Sequence, residues 1–170
     1  MPAFEAITST TLTSTTASVS FSSIPSSYEH LQIRLFARNS DSATNRFVTM
    51  QFNSDTGANY NRWYIEADGD PETLTASTGD TYITVGRVAA NTATSNIFGV
   101  GIIDIVDYAT TNKNTVVQSL CGYENNGAGQ FHYATGLWLN TSAVSTITVA
   151  CSSGSFLSGS IVSLYGFRSS

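Results

Sequence analysis

Apolar and polar residues alternate in short runs along most of this chain. Leu31, Ile33 and Leu35 share one face of an extended segment, while Gln32 and Arg34 share the other. A period of two is typical of a half-buried β-strand, because successive side chains point to opposite faces. Similar runs recur to the end of the chain and are separated by Gly, Asn, Asp and Ser. The pattern therefore predicts an all-β protein.

The spacing of these runs predicts about nine or ten strands in an antiparallel β-sandwich, with a jelly-roll as the favoured form. Residues 1–170 are expected to form one sandwich domain, because a chain of this length buries roughly two-thirds of its unfolded surface. Residues 1–12 are interpreted as an N-terminal strand or arm. Residues 67–80, which carry several acidic side chains, are interpreted as a loop.

Composition narrows the classes of partner. Charged residues make up only 11% of the chain, the formal net charge is −5, and Lys113 is the only lysine. The few basic residues are scattered, which excludes a general nucleic-acid-binding surface. No apolar run is long enough to cross a bilayer, and the first residues lack the pattern of a secretory signal. We therefore expect synthesis in the cytoplasm, with any outside location reached by lysis or assembly.

The sequence contains little that suggests catalysis. His30 and His132 are the only histidines, and no nucleophile-elbow motif, zinc-ligand spacing, phosphate loop or dinucleotide fingerprint occurs. Asp104 lies in an apolar run and is interpreted as salt-bridged or solvent-facing rather than catalytic, because a buried carboxylate needs a partner. No catalytic residue, cofactor or metal site is predicted. A pair of carboxylates that cleaves glycans stays an open alternative, because such a pair is defined by the distance between its carboxyl groups.

Two clusters have alternative interpretations. Asp68, Asp70 and Glu72 alternate in one segment and could supply oxygen ligands to calcium. A solvated acidic loop is favoured, because the spacing fits no EF-hand pattern and Pro71 interrupts it. Cys121 and Cys151 could form a disulfide or hold a reactive thiol. Two reduced, buried cysteines are favoured, since no basic residue adjoins either in the sequence.

Aromatic residues are the better indication of a binding surface. Trp138 is expected in the core. Trp63 and Tyr64 are consecutive, so their side chains point to opposite faces and at least one is expected outside the core. We predict an interface that includes this pair together with Phe4 and Ile7. The aromatic residues form two dense groups, Tyr60, Trp63 and Tyr64, and Phe131, Tyr133 and Trp138.

Several segments resemble a group of small structural proteins of tailed bacteriophages. They are residues 15–25 (TTASVSFSSIP), 52–55 (FNSD), 136–138 (GLW) and the closing segment 154–167. The resemblance covers nearly the whole chain, and it consists of turn and strand signatures without a chemical site.

This resemblance implies a virion component, similar to the jelly-roll decoration (cement) proteins that form trimers on phage heads. The implied partners are further copies of the chain, with a homotrimer favoured, and the major capsid protein or other virion proteins. The implied location is the virion surface. The alternative is a tail-fibre or receptor-binding module that recognises host-surface glycans through exposed aromatic residues.

Overall fold

Residues 4–168 are described by a computed structural model, and these residues contain twelve β-strands and no helix. The strands are β1 (Phe4–Thr11), β2 (Ser18–Phe21), β3 (His30–Ala37), β4 (Asn45–Phe52), β5 (Tyr60–Ala67), β6 (Thr73–Asp80), β7 (Ile83–Ala89), β8 (Gly99–Val106), β9 (Thr115–Asn125), β10 (Ala128–Trp138), β11 (Ile147–Cys151) and β12 (Ile161–Phe167).

All neighbouring strands are antiparallel and form two sheets. The larger sheet has eight strands in the order β1-β12-β3-β8-β9-β10-β5-β6, and the smaller has four in the order β2-β11-β4-β7. Four of the pairings are nested: β1 with β12, β2 with β11, β3 with β8 and β4 with β7. A ribbon of nested pairs wrapped over two sheets is the arrangement of an eight-stranded jelly-roll. The predicted all-β sandwich is confirmed, and the jelly-roll form fits it.

Two hairpins are added to this jelly-roll. Along the chain, the β5–β6 hairpin is inserted between β4 and β7, and the β9–β10 hairpin is inserted between β8 and β11. The hairpins pair with each other through β10 and β5, and β9 joins them to β8. They therefore widen the larger sheet from four strands to eight, while the smaller sheet keeps four.

The core lies between the sheets and follows from the alternation seen in the sequence. Leu31, Ile33 and Leu35 of β3 point inward and are almost completely buried, and Trp138 is 1% exposed. Burial of such side chains contributes about 1.5–3 kcal/mol each. The prediction that Trp138 lies in the core is confirmed.

The strand count was underestimated, because residues 73–80 are a strand and not part of an acidic loop. β6 lies at the edge of the larger sheet and pairs only with β5. An edge strand with little burial on either face does not need the apolar alternation that marks the others. The predicted N-terminal strand is β1, although residues 1–3 lie outside the described range.

Both cysteines are free thiols. Cys151 is only half-buried, so the expectation of two buried cysteines holds for Cys121 alone. Cys121 lies in the core, where burial raises the pKa of its thiol to about 12. Its Sγ occupies space beside Gly86 and Gly101, and a Cβ added at either glycine would clash with it. The thiol thus acts as a small buried hydrophobic group at the contact between β7, β8 and β9.

This packing predicts a specific coupling. Gly101→Ala should lower the free energy of unfolding by about 1–3 kcal/mol through overpacking. Combined with Cys121→Ala, which removes the Sγ, the same substitution should cost much less. Urea denaturation of the two single variants and the double variant measures the coupling. Additive effects of the two substitutions would contradict the contact.

Candidate binding interface

The outer face of the larger sheet, which points away from the smaller sheet, holds most of the exposed apolar surface. Nine large hydrophobic side chains are exposed in the described part of the chain. Eight of them lie on this face, and the ninth, Leu139, follows β10. A concentration of this kind marks an interaction site more often than scattered exposed residues do. The eight are Phe36, Leu74, Val100, Ile102, Val116, Leu120, Phe131 and Tyr133.

Strand register aligns these side chains in rows across the sheet. Ile102 of β8 pairs with Leu120 of β9, and Leu120 pairs with Tyr133 of β10. The same row continues through Ile65 of β5 to Leu74 of β6. Directly opposed residues on one face have Cβ atoms about 4.5–5.5 Å apart. The row is therefore a continuous apolar strip across five strands.

A depression interrupts the next row, where a glycine stands between large side chains. Gly122 pairs with Val100 on one side and with Phe131 on the other. Because Gly122 has no side chain, an open apolar depression of about 670 Å³ forms there, and Ile102 and Leu120 also line it. Its shape suits an apolar group of a partner.

A polar row borders the apolar strip on its other side. Gln32, Asp104 and Gln118 are adjacent in the register of β3, β8 and β9. The Nε2 of Gln32 donates to Oδ1 of Asp104 (2.8 Å), and the Nε2 of Gln118 donates to the Tyr133 hydroxyl (3.1 Å). Together with Tyr133 these groups line a second depression of about 370 Å³. Asp104 is half-buried at an outward position and accepts a hydrogen bond from Gln32, and it forms no salt bridge among the described residues.

An aromatic cluster lies on the same face at the β1 edge. The ring of Phe4 stacks on Tyr165 at 4.8 Å between centroids. The guanidinium of Arg34 lies over both rings, 5.2 Å from Phe4 and 5.1 Å from Tyr165. This cation–π contact holds Arg34 at one side of the apolar strip.

The four residues predicted for the interface lie in different environments. Phe4 is half-buried in this aromatic cluster, and Ile7 packs partly against the core where β1 has a bulge. Trp63 is half-buried at an outward position, opposite Thr135 of β10. Tyr64 points inward and stacks on His132. A role in binding stays a prediction for each of them.

The apolar residues of the strip were missed individually by sequence reasoning. Ile102 and Leu120 lie in strands whose other face is the core, so their hydrophobicity resembles that of buried neighbours. The available signal was the run of consecutive apolar residues 102–103 and 105–106, because a strand with one solvated face should alternate.

Tyr64 belongs to an internal cluster at the end of the sandwich that carries the added hairpins. Arg87 of β7 donates to both carboxylate oxygens of Glu66, at 2.7 and 3.0 Å, and its guanidinium lies over the ring of Phe47. His132 is completely buried against Tyr64 and Phe47. Both of its ring nitrogens lack hydrogen-bond partners among the described residues.

The position of Tyr60 and Trp138 explains how β5 is held beside β10. The indole N–H of Trp138 donates to Oδ2 of Asp55 (2.8 Å), and the Tyr60 hydroxyl donates to the carbonyl of Asp55 (3.0 Å). The indole hydrogen bond is the main reason that the pKa of Asp55 is lowered. These buried contacts anchor the β4–β5 loop, and with it the strand that carries Trp63.

Between residues 4 and 168, no three side chains of His, Cys, Asp or Glu are grouped so that they could hold a metal ion. The same residues include no helix with the length and hydrophobicity needed to cross a bilayer. Asp68, Asp70 and Glu72 are all exposed around the turn between β5 and β6.

Comparison with known proteins gives distant matches to solved structures. No protein-family model and no curated protein matches the chain. A galectin of Caenorhabditis elegans is 12% identical, with 89% of this chain and 90% of that chain covered and a TM-score of 0.35. A toad ovary galectin in complex with thio-digalactose is 8% identical, with 88% and 98% covered and a TM-score of 0.35.

A further match is the CBM40 of a Ruminococcus gnavus sialidase, bound to α2,3-sialyllactose. It is 8% identical, with 98% of this chain and 95% of that chain covered and a TM-score of 0.33. Similarity at this level carries no argument about what the present chain binds.

The buried histidine predicts a pH dependence of stability. Burial and the nearby Arg87 charge lower the pKa of His132 from 6.5 to about 4. The unfolded chain therefore binds one more proton between these values, and the free energy of unfolding should fall by about 3 kcal/mol as the pH drops from 6.5 to 4. Urea titrations across this range measure the effect.

His132→Phe is the matched variant, because it keeps an aromatic ring and removes the titrating group, while His30 remains in both proteins. The variant should lose this part of the pH dependence. An unchanged pH profile would show that His132 does not cause it.

Proposed function

We propose that this chain is a virion-surface protein of a tailed phage that decorates the head and binds the capsid shell through the outer face of its larger sheet. The observation that carries the proposal is the concentration of eight exposed hydrophobic side chains on that one face. The phage resemblance of the sequence supplies the class of partner. The mechanism is mechanical. Each copy bridges neighbouring shell subunits and binds only the expanded shell, so binding stabilises that form of the shell against internal pressure.

The size of the face supports a stable contact. The face includes the six neighbouring strands β3-β8-β9-β10-β5-β6. Neighbouring strands lie about 4.8 Å apart, and outward side chains repeat about every 6.8 Å along a strand. Four rows on six strands therefore span about 800 Å², which is the area that each partner contributes to a standard interface. The strip and the depression at Gly122 lie within this area.

The charge distribution also suits a protein partner. Arg34 and Asp104 are the charged residues around the two depressions, and the apolar strip between Ile102 and Leu74 has no charged member. Depletion of charge at the centre with polar groups around it is the usual anatomy of a protein interface. A homotrimer, favoured by the same resemblance, is part of this proposal.

A second candidate function is glycan recognition by a tail-fibre or receptor-binding module, and the polar row favours it. The carboxylate of Asp104, the amides of Gln32 and Gln118, and the Tyr133 hydroxyl converge on one depression. A few convergent polar groups beside exposed aromatic rings are the elements of a saccharide site. Two aromatic side chains lie near Tyr133 on the same face. Phe131 is the preceding outward residue of β10, and Trp63 of β5 pairs with Thr135, the next outward residue of β10.

Binding to phage heads tests the first function. Expanded heads that lack this protein should retain the wild-type chain on co-sedimentation. Replacing both Ile102 and Leu120 with Glu should weaken retention at least about 30-fold, which corresponds to about 2 kcal/mol, because both side chains lie at the centre of the face. Leu139→Glu is the matched control, since Leu139 is exposed but lies beyond the strip.

Equal retention of the control and the double variant would refute the proposed face. Failure of the wild-type chain to bind heads, together with binding to host-surface polysaccharide that is abolished by Asp104→Asn, would instead establish the second function. Circular dichroism of each variant verifies that the sandwich is intact.

A further inference from the structure

Within residues 4–168, one buried cation has no acidic partner. Five of the seven basic side chains form ion pairs with carboxylates, and Arg34 is stacked on aromatic rings. Arg38 is only 6% exposed, yet it forms no ion pair with any carboxylate among residues 4–168. The five pairs are Arg46–Asp41, Arg62–Asp80, Arg87–Glu66, Lys113–Asp107 and Arg168–Glu5.

The hydrogen bonds of Arg38 leave one edge of its guanidinium available. Nη1 donates to the carbonyls of Thr94 (2.8 Å) and Ile97 (2.7 Å), and Nη2 donates to the carbonyl of Ala93 (3.0 Å). These bonds use three of the five N–H groups. The remaining two are on Nε and Nη2, and Nε has no partner in the described part of the chain. Nε and Nη2 form the edge through which an arginine can bind the two oxygens of a carboxylate or phosphate side by side.

A polar pocket of about 280 Å³ adjoins this guanidinium at the end of the sandwich. Asn91, Ser95, Asn96 and Ser158 line it, and no carboxylate does. It lies where the β7–β8 loop meets the β11–β12 loop. The chain carries a net charge of −5, yet the lining of this pocket contains a cation and no anion.

Desolvation of the guanidinium gives the pocket an electrostatic preference. Removing an ion from water is unfavourable, and dipoles or an opposite charge must offset the lost hydration. Three carbonyl dipoles offset part of it for Arg38. The pocket is open to solvent, and an anion that enters it meets the positive charge of Arg38 at the edge of the guanidinium that has no protein partner.

We propose that this pocket binds an oxyanion, either a carboxylate or a phosphate group. Asn91, Asn96 and the two serines supply neutral polar groups around the anion, while Arg38 supplies the charge. The site is separate from the apolar strip, although Phe98 in its wall stacks on Phe36 of the outer face (4.6 Å). Its test therefore does not depend on the proposed function.

The side-chain ¹⁵N–¹H signal of Arg38 Nε provides a direct readout. Sodium phosphate and sodium acetate should each be titrated into the labelled full chain at constant ionic strength against sodium chloride. Saturable shifts of the Arg38 Nε signal and of the Ser95 and Asn96 amides are expected with at least one of the two anions. A response to phosphate alone assigns a phosphate site, and a response to acetate alone assigns a carboxylate site.

Asn96→Asp is the decisive variant, because it places a carboxylate in the pocket. Asn96 has a φ of 63°, and Asp accepts this left-handed conformation nearly as well as Asn does. The anion-dependent shifts should be lost in this variant and retained in Asn112→Asp, which makes the same charge change in an exposed loop outside the pocket.

Two results would overturn the proposal. The first is the absence of saturable shifts with both anions in the wild-type chain, which is expected if Arg38 only ties down the carbonyls of residues 93–97. The second is an equal response of the Asn96→Asp and Asn112→Asp variants, which would indicate general screening by salt.

Discussion

Antiparallel pairing between β5 and β10 is the contact on which the wide sheet depends, because it joins two hairpins that are distant in the sequence. Without it the larger sheet would end after β10, and the β5–β6 hairpin would be two strands alone, which are marginally stable in water. The inward side of this pairing is held by Trp138, Tyr60 and the loop at Asp55. The outward side carries Tyr133 opposite Ile65. The same hydrogen bonds thus determine both the core at this end and the candidate interface.

The two faces of the larger sheet have different physical roles. A slip of one residue in β8, β9 or β10 would exchange the faces and move Ile103 and Val117 into solvent. The buried side is strongly selected by the core, so the outward row is fixed as a consequence, although its residues gain little from folding. Three large side chains of this row remain exposed to solvent, namely Ile102, Leu120 and Tyr133. This exposure is the reason that a binding partner is proposed for the face.

Among the described residues, the buried basic side chains His132 and Arg38 lie in two regions where the sandwich departs from a plain apolar core. His132 and the Arg87–Glu66 pair lie under the added hairpins, where the smaller sheet reaches its β7 edge. Arg38 lies under the β7–β8 loop and binds the carbonyls that this irregular backbone leaves without strand partners. In the first group His132 is completely buried, and its lowered pKa makes stability depend on pH. The second opens on a pocket and therefore offers a site for a ligand.

The sequence alone determined the all-β class, most strands and the buried Trp138, because these depend on local alternation and residue type. It underestimated the strand number at β6, whose edge position removes the apolar pattern. It placed Trp63 and Tyr64 on opposite faces, but it could not assign which one faces the core. Only the tertiary structure decided that two separate hairpins pair, that Ile102, Leu120 and Tyr133 form one strip, and that Arg38 meets a pocket without carboxylates. These features depend on register and on contacts between residues far apart in the chain, which a local pattern does not encode.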